Sequence, residues 1–139
     1  MRAFVDTNVV LDVVAERKPF YGDSVAVWTL AEQGKLDGFV SALSFAHVFY
    51  MVKKWTDAGT ARRALVMMRD TFSTIACSEA IIHQAIDSGL ADFEDAIQYY
   101  SAVRADADCI LTRNAGDFPT DSVLPVLSPK EFLAQLQAE

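Results

Sequence analysis

Acidic and amide side chains occur in this sequence at three separate places where an apolar pattern stops. They are Asp6, Asp92, Glu94, Asp95, Asn114 and Asp117. A carboxylate at the end of a buried strand is strongly disfavoured unless something pairs with it. Oxygen ligands suit hard divalent cations such as Mg²⁺, and a cation in such a place can activate water for in-line displacement at phosphorus. The pattern therefore predicts a divalent-metal site.

Each of these groups also has a purely structural interpretation. Asp6 can cap the first helix, and Asp95 can lie in a first helical turn where the helix dipole favours acids. Asn114 and Asp117 are ordinary turn residues. The convergence of three segments favours the metal site, because ligand groups gather beyond the carboxyl ends of parallel strands.

Short apolar strands alternate with helical patterns along the chain, which predicts an α/β sandwich with a mainly parallel sheet. The predicted strands cover residues 2–5, 37–41, 73–77, 108–112 and 123–127, and the predicted helices cover residues 21–33, 42–55, 60–70, 78–89 and 92–105, with further helices after residue 6 and from residue 129. We expect Thr7 or Asn8 to cap the first helix and Thr60 to cap the helix that it opens. On the inner face of the helix at residues 92–105 we expect Ala96, Ile97, Tyr100 and Val103.

The bulk composition limits the classes of protein to consider. A chain of 139 residues with 52% hydrophobic and 22% charged residues predicts one globular domain, residues 1–139. The net charge of −7, from 19 acids and 12 bases, argues against a large sequence-independent grip on nucleic acid. No signal peptide or membrane span is expected, and Cys77 and Cys109 are read as reduced core residues of a cytosolic protein.

Three strings in this order resemble the PIN domain family, and within it the VapC-like bacterial toxins. They are Phe4-Val5-Asp6-Thr7-Asn8, Asp92-Phe93-Glu94-Asp95-Ala96 and Thr112-Arg113-Asn114-Ala115-Gly116-Asp117-Phe118. The resemblance spans nearly the whole chain. It implies a three-layer α/β/α fold, an endoribonuclease activity that depends on Mg²⁺ or Mn²⁺, a role as the toxin of a type II toxin–antitoxin system, a bound antitoxin protein, a homodimer and a cytoplasmic location.

Residue by residue, the resemblance implies that Asp6, Asp95 and Asp117 are the metal-binding and catalytic acids. Thr7, Asn8 and Thr112 would orient carboxylates or the attacking water by hydrogen bonds. Supporting roles fall to Asn114, which stands where many relatives have Asp, and to Asp92, which is better explained as a helix cap.

One position departs from the family pattern. The helix after the second strand usually supplies a Glu, and here it offers His47. A neutral imidazole prefers softer ions than Mg²⁺, so a helix histidine held by a hydrogen bond is the favoured interpretation. With Asn114 also uncharged, the site carries less negative charge than a four-carboxylate version, although Glu94 or Asp92 could compensate.

Two other functions remain open at this point. His47 and Asn114 motivate a PIN-fold module that binds RNA or protein with a degenerate metal site. A phosphohydrolase on another doubly wound fold would need a nucleophilic Asp-x-Asp, and Asp6-Thr7-Asn8 is one substitution short of that pattern.

Overall fold

The computed structural model describes residues 1–138 and contains a five-stranded sheet in which every pairing is parallel. The strands are β1 (Arg2–Val5), β2 (Asp37–Ser41), β3 (Ser73–Ile75), β4 (Cys109–Leu111) and β5 (Val126–Leu127). Their order across the sheet is β3-β2-β1-β4-β5. This confirms the predicted parallel α/β architecture.

Seven helices connect or follow these strands. They are α1 (Thr7–Val14), α2 (Tyr21–Glu32), α3 (Ala42–Trp55), α4 (Ala58–Thr71), α5 (Glu79–Asp87), α6 (Phe93–Arg104) and α7 (Pro129–Ala138), and a short 3₁₀ helix covers Ala115–Asp117. None of these helices is long and apolar enough to cross a membrane, as far as the described residues go.

Alternating strand residues face two different helical layers, as the period of a strand requires. Ala3, Val5 and Leu111 belong to a core that includes side chains of α1, α2, α3, α4 and α7. Phe4 and Ile110 face the other way and pack with Tyr99 and Ala102 of α6. Helix α5 packs against α6 through Ile81, Ala85, Ala96 and Ile97. The sheet therefore lies between two helical layers, which confirms the three-layer sandwich.

The strand order reverses direction at β1, which pairs with β2 on one side and β4 on the other. In open parallel sheets, ligands bind outside the carboxyl ends of the strands at such a point. Asp6 follows β1 directly, and its N–H donates to the carbonyl of Leu111 at 2.9 Å. Thr112 follows β4. The fold thus places both residues at the same crevice.

Two predicted helix caps are wrong. Asp6 caps α1, because its carboxylate accepts from the Thr7 N–H, so neither Thr7 nor Asn8 is the cap. Asp57 caps α4 by accepting from the Thr60 N–H at 2.7 Å, and α4 therefore begins at Ala58. In both helices an aspartate just ahead of the predicted start reaches a first-turn amide that would otherwise lack a partner.

Strand lengths and one helix face also differ from prediction. β3, β4 and β5 are shorter than predicted, since β5 pairs only with Ile110 and Leu111. Val103 is exposed, while Tyr99 and Ala102 are buried. Because α6 packs on both the sheet and α5, its buried arc is wider than one stripe and faces away from Val103. Cys77 and Cys109 are both free.

Candidate active site at the carboxyl edge of the sheet

The carboxylate of Asp6 accepts hydrogen bonds from residues that follow the carboxyl ends of β1 and β4. Its side chain is 6% exposed, and Oδ1 accepts from the Thr7 N–H at 2.7 Å. Oδ2 accepts from the Thr112 hydroxyl at 2.8 Å and from the Asn8 amide at 3.3 Å. Asn8 also donates to Thr112 Oγ1 at 3.2 Å. These bonds fix the direction of a carboxylate that burial alone would disfavour.

Helix α6 brings a second group of acids to the same place. Asp92 caps α6 by accepting from the Asp95 N–H at 2.9 Å, as the sequence predicts. A cavity of about 150 Å³ is lined by Asp6, Asp92, Glu94 and Asp95 together with Asn8. The structure therefore brings together acids from two of the three predicted segments in one cavity wall.

The third segment lies beside this cavity. Asp117 is exposed in the 3₁₀ helix after β4 and is not part of the cavity wall, but its charge acts on both Asp6 and Asp95. Asn114 is exposed too, and its backbone N–H donates to Thr112 Oγ1 at 3.1 Å. Its carbonyl accepts from the Asp117 N–H at 2.9 Å. Asn114 thus shapes the loop that carries Asp117.

Burial and crowding of the carboxylates raise the pKa values of two of them. The pKa of Asp95 is raised from 3.8 to about 7, mainly by burial and then by the charges of Asp92, Asp6, Asp117 and Glu94 in that order. Burial also raises the pKa of Asp6, the bonds from Thr112 and Thr7 oppose this, and Asp117 and Glu94 add to the rise. Strongly raised pKa values in a cleft are typical of functional acids, and here they show an unneutralised concentration of negative charge.

The raised pKa of Asp95 predicts a pH-dependent stability. The folded protein binds more protons than the unfolded chain between the ordinary pKa of 3.8 and about 7, so the contribution of Asp95 to stability falls as pH rises through this window. Asp95→Asn should raise the thermal midpoint at about pH 8 by roughly 3 °C, because a partly solvated acid accounts for only about 1 kcal/mol. Without added metal, calorimetry should show a smaller difference between the variant and the wild type at about pH 5, inside this window, than at about pH 8. An equal difference at both pH values would contradict the assignment.

His47 and Glu94 form a polar contact in the wall of the cavity. His47 Nδ1 lies 2.8 Å from Glu94 Oε1, and both residues line the cavity. The favoured interpretation of His47 as a helix histidine held by a polar partner agrees with this contact. Its partner is one of the acids named as a possible replacement for the absent Glu, so Glu94 is engaged by His47 in this structure.

Sequence reasoning missed the polar layer beneath the cavity. Gln98 is 2% exposed, lines the cavity, and donates from Nε2 to Thr7 Oγ1 at 3.1 Å and to Ser44 Oγ at 3.2 Å. Thr7 and Ser44 are 2.7 Å apart at their hydroxyl oxygens. The Thr7 hydroxyl is therefore turned toward α3 and α6, and Thr7 supports Asp6 through its backbone only. The sequence signal that could have identified Gln98 is its position three residues after Asp95 on α6, because this spacing puts both side chains on one face of the helix.

A buried ion cluster was also missed. Asp12 on α1 is 0% exposed, with Arg17 Nε 2.9 Å from Oδ1 and Arg113 Nε 2.6 Å from Oδ2. The second contact is an ion pair whose direction does not make a hydrogen bond. The Arg113 N–H donates to Asn8 Oδ1 at 3.3 Å. Since Arg113 follows Thr112, this cluster ties the loop after β4 to α1. The available signal was an acid inside an apolar helical pattern, which burial forces to find partners.

The donor set fits a hard divalent cation held partly through water. Among residues 1–138, no three His, Cys, Asp or Glu side chains converge closely enough to surround a bare ion. Mg²⁺ usually keeps several waters and binds one or two carboxylates directly, so a tighter cage is not required. Asp6, Asp95 and Asp117 could supply oxygen ligands, and a bound cation would relieve their mutual repulsion.

These features define a PIN-type fold with acids at the switch point of a parallel sheet. The sequence profile of the PIN domain matches residues 2–116, and the chain belongs to this family. This membership contradicts the alternative of a phosphohydrolase on another doubly wound fold.

Known proteins similar to this chain include a ribonuclease and a chain of a toxin–antitoxin complex. Ribonuclease VapC1 of Aquifex aeolicus (strain VF5) is 26% identical over 94% of this chain and 92% of its own length. A toxin-antitoxin complex from Klebsiella pneumoniae contains a chain with a TM-score of 0.67 and 22% identity, covering 91% of this chain and 97% of the other. VapBC-1 from nontypeable Haemophilus influenzae also gives a TM-score of 0.67, at 14% identity, covering 94% and 99%. At these identities the structural likenesses show the fold.

Proposed function

We propose that this protein is a divalent-metal-dependent endoribonuclease and the cytoplasmic toxin of a type II toxin–antitoxin system. The observation that carries the proposal is the crowding of Asp6, Asp95 and Asp117 at the carboxyl edge of a PIN fold, with the pKa of Asp95 raised to about 7. The likeness to a curated VapC ribonuclease supports the reaction class.

The metal ligands in this proposal are Asp6, Asp95 and Asp117. When bound, Mg²⁺ or Mn²⁺ lowers the pKa of water and neutralises the phosphate charge that develops during in-line displacement. Residues of the chain orient the ligands that this chemistry needs. Thr112 and Asn8 hold Asp6 Oδ2 in one direction, and Asp95 has to lose its proton before its carboxylate can serve as a ligand. Activity should therefore increase as pH rises through about 7.

An antitoxin protein and a second copy of the chain are the partners in this proposal. The likeness to chains of toxin–antitoxin complexes supports the first. Large exposed apolar side chains on α3 and α4 would suit a partner's apolar surface, and they include Tyr50, Trp55 and Met67.

The experiment for the proposal is cleavage of single-stranded RNA by the purified chain in Mn²⁺ or Mg²⁺. We expect internal cuts that require the metal, disappear with EDTA and are weaker at about pH 6 than at about pH 8. Cleavage that continues in EDTA would show a contaminating or different nuclease activity and would contradict the metal mechanism.

A second candidate function is a PIN-fold binding module with a degenerate site. The contact between His47 and Glu94 favours it, because the helix that usually adds an acid to the site here supplies a histidine that contacts one. In that case the wild type should neither bind Mn²⁺ at millimolar concentration nor cut RNA.

His47→Glu separates the two candidate functions. The substitution adds a carboxylate beside Glu94 and removes its partner, so we expect calorimetry to show roughly tenfold tighter Mn²⁺ binding, equivalent to about 1.4 kcal/mol. If the protein is a ribonuclease, the wild type cleaves RNA, and His47→Glu cleaves it at a lower Mn²⁺ concentration. If the protein is a binding module with a degenerate site, the wild type does not cleave RNA and only His47→Glu does. His83→Glu, at an exposed position on α5, is the matched control and should change neither quantity.

A further inference from the structure

A second cavity of about 360 Å³ lies where the start of α2, the start of α7 and the loop after β4 meet. Its wall includes Phe20, Ser24, Arg113, Ser128 and Lys130. The volume is within the range of small-ligand sites, which are typically about 300–1,000 Å³. None of the functional roles assigned above uses this cavity.

Ser24 gives this cavity an unpaired polar group. The side chain is 1% exposed, and its hydroxyl has no hydrogen-bond partner within residues 1–138. The Ser24 N–H is already used in the helix, where it donates to the Phe20 carbonyl at 3.1 Å. A buried hydroxyl without a partner is disfavoured, and a ligand oxygen in the cavity would remove that penalty.

Arg113 supplies a flat cationic surface to the same cavity. Its guanidinium carbon lies 4.1 Å from the centre of the Phe20 ring, so the two planar groups are in contact. Although Nε pairs with Asp12, no guanidinium nitrogen of Arg113 makes a hydrogen bond within the described residues. Arginine in such an arrangement suits both phosphate oxygens and the face of a base.

The charge around the cavity is positive in a chain that is negative overall. Among the residues that line the cavity, Arg113 and Lys130 are cationic and Asp23 is acidic. The result is a net charge of about +1 beside a cavity in a protein of net charge −7. The capping box of α7 uses the Ser128 and Glu131 amides, at 2.9 and 3.1 Å, and does not use the Lys130 amide.

The cavity is joined to the candidate active site by one short connection. Asn8 lines the acidic cavity, and its Oδ1 accepts from the N–H of Arg113, which lines the second cavity. Thr112, which donates to Asp6, is the residue before Arg113. The walls of the two cavities are therefore in contact through Asn8 and Arg113.

We propose that this second cavity binds one nucleotide of a single-stranded RNA, next to the nucleotide at the acidic site. The phosphate contacts Arg113, Lys130 and the Ser24 hydroxyl, and the base packs against Phe20. This assignment rests on the proposed ribonuclease function and adds to it a subsite that holds the strand.

Ser24→Ala is the first test. Fluorescence anisotropy with a short single-stranded RNA in EDTA should show roughly tenfold weaker binding, the loss expected for a hydrogen bond to a charged group. The thermal midpoint of the variant should be equal to or above that of the wild type, since an unpaired buried hydroxyl is removed. Ser101→Ala is the matched control, because Ser101 also has a buried unpaired hydroxyl but lines neither cavity. It should bind RNA like the wild type.

Lys130→Ala is the second test, with a readout that a structural role would not change. Exposed Lys130 should contribute one phosphate contact, so the slope of log affinity against log salt should fall by about 0.7 for a single strand. Lys35→Ala removes the same charge at the opposite edge of the sheet, just before β2, and should leave the slope unchanged. In the Mn²⁺ cleavage assay, Lys130→Ala and Ser24→Ala should raise KM several-fold and leave kcat unchanged.

Three outcomes are distinguishable. RNA affinity and KM that are unchanged in both variants would overturn the subsite, even if the wild type cuts RNA. Tight binding of a free nucleoside monophosphate, with the same dependence on Ser24 and Lys130 but no measurable RNA binding, would overturn the assignment to a strand. Wild-type RNA binding that depends on both residues without any cleavage in Mn²⁺ would support the subsite and contradict the ribonuclease proposal.

Discussion

Asp6→Asn should reduce the rate of metal-dependent RNA cleavage by at least about 10³-fold, beyond the 10- to 100-fold losses typical of groups that only support a metal ligand. Asp6 is the acid with the most fixed direction, since three donors hold its two oxygens. The amide has nearly the same shape and keeps an acceptor for the Thr7 N–H, but it lacks the charge that a cation requires. The measurement is the initial rate of cleavage in saturating Mn²⁺.

Two further variants are compared with Asp6→Asn. Thr112→Val removes only the hydroxyl that donates to Asp6 Oδ2, so the loss should be about 10- to 100-fold and partly restored by more Mn²⁺. Asp37→Asn removes an exposed acid at the opposite end of the sheet, at the start of β2, and should retain full activity. If Asp6→Asn, which keeps an acceptor for the Thr7 N–H, retained wild-type activity, Asp6 would be serving only as a structural cap of α1.

Asp12→Ala should cause the largest loss of stability of any single substitution considered, about 3 kcal/mol, corresponding to a thermal midpoint lowered by roughly 10 °C. Asp12 is fully buried between Arg17 and Arg113, and its removal leaves two cations without their partner. The arginine side chains are 32% and 21% exposed and can partly rehydrate, which keeps the loss at the lower end for buried ion pairs. Thermal unfolding at neutral pH measures it.

The control for Asp12 is Asp87→Ala, an exposed helix acid on α5 whose removal should change stability by less than about 0.5 kcal/mol. Asp12→Ala should also slow RNA cleavage, because Arg113 no longer fixes the loop between Thr112 and Asp117. An Asp12→Ala protein as stable as the wild type would show that the two ion pairs contribute nothing net to the fold.

Local sequence signals were sufficient for most of the fold. β2 and α3 have the predicted limits, since Ser41 both ends the strand and caps the helix through the Leu43 N–H. Asp92 caps α6 as predicted, and Ser78, the first residue of the helix predicted at residues 78–89, is the cap of α5. The structural interpretation of Asp6 as the cap of α1 is confirmed, whereas the expected caps Thr7 or Asn8 and Thr60 are wrong, because an aspartate one to three residues earlier serves instead. The predicted limits of β3 and β5 were wrong, because pairing with a strand distant in sequence determines where each of these strands ends.

The candidate site was predictable only as a list of acids. The family resemblance is confirmed by the PIN domain match, and it named Asp6, Asp95 and Asp117, whose roles remain a prediction. Contacts between residues far apart in sequence carry no local signal. His47 meets Glu94 and Gln98 meets Ser44 only because α3 and α6 converge at the sheet edge.

A crystal soaked in Mn²⁺, with anomalous scattering recorded at the manganese edge, tests the central claim most directly. The account predicts an anomalous peak at the carboxyl edge of β1, within direct or water-mediated reach of Asp6, Asp95 and Asp117, and predicts its loss in Asp6→Asn crystals. A wild-type peak held by His47 and Glu94, or no peak in this cavity at saturating Mn²⁺, would contradict the three-acid metal site.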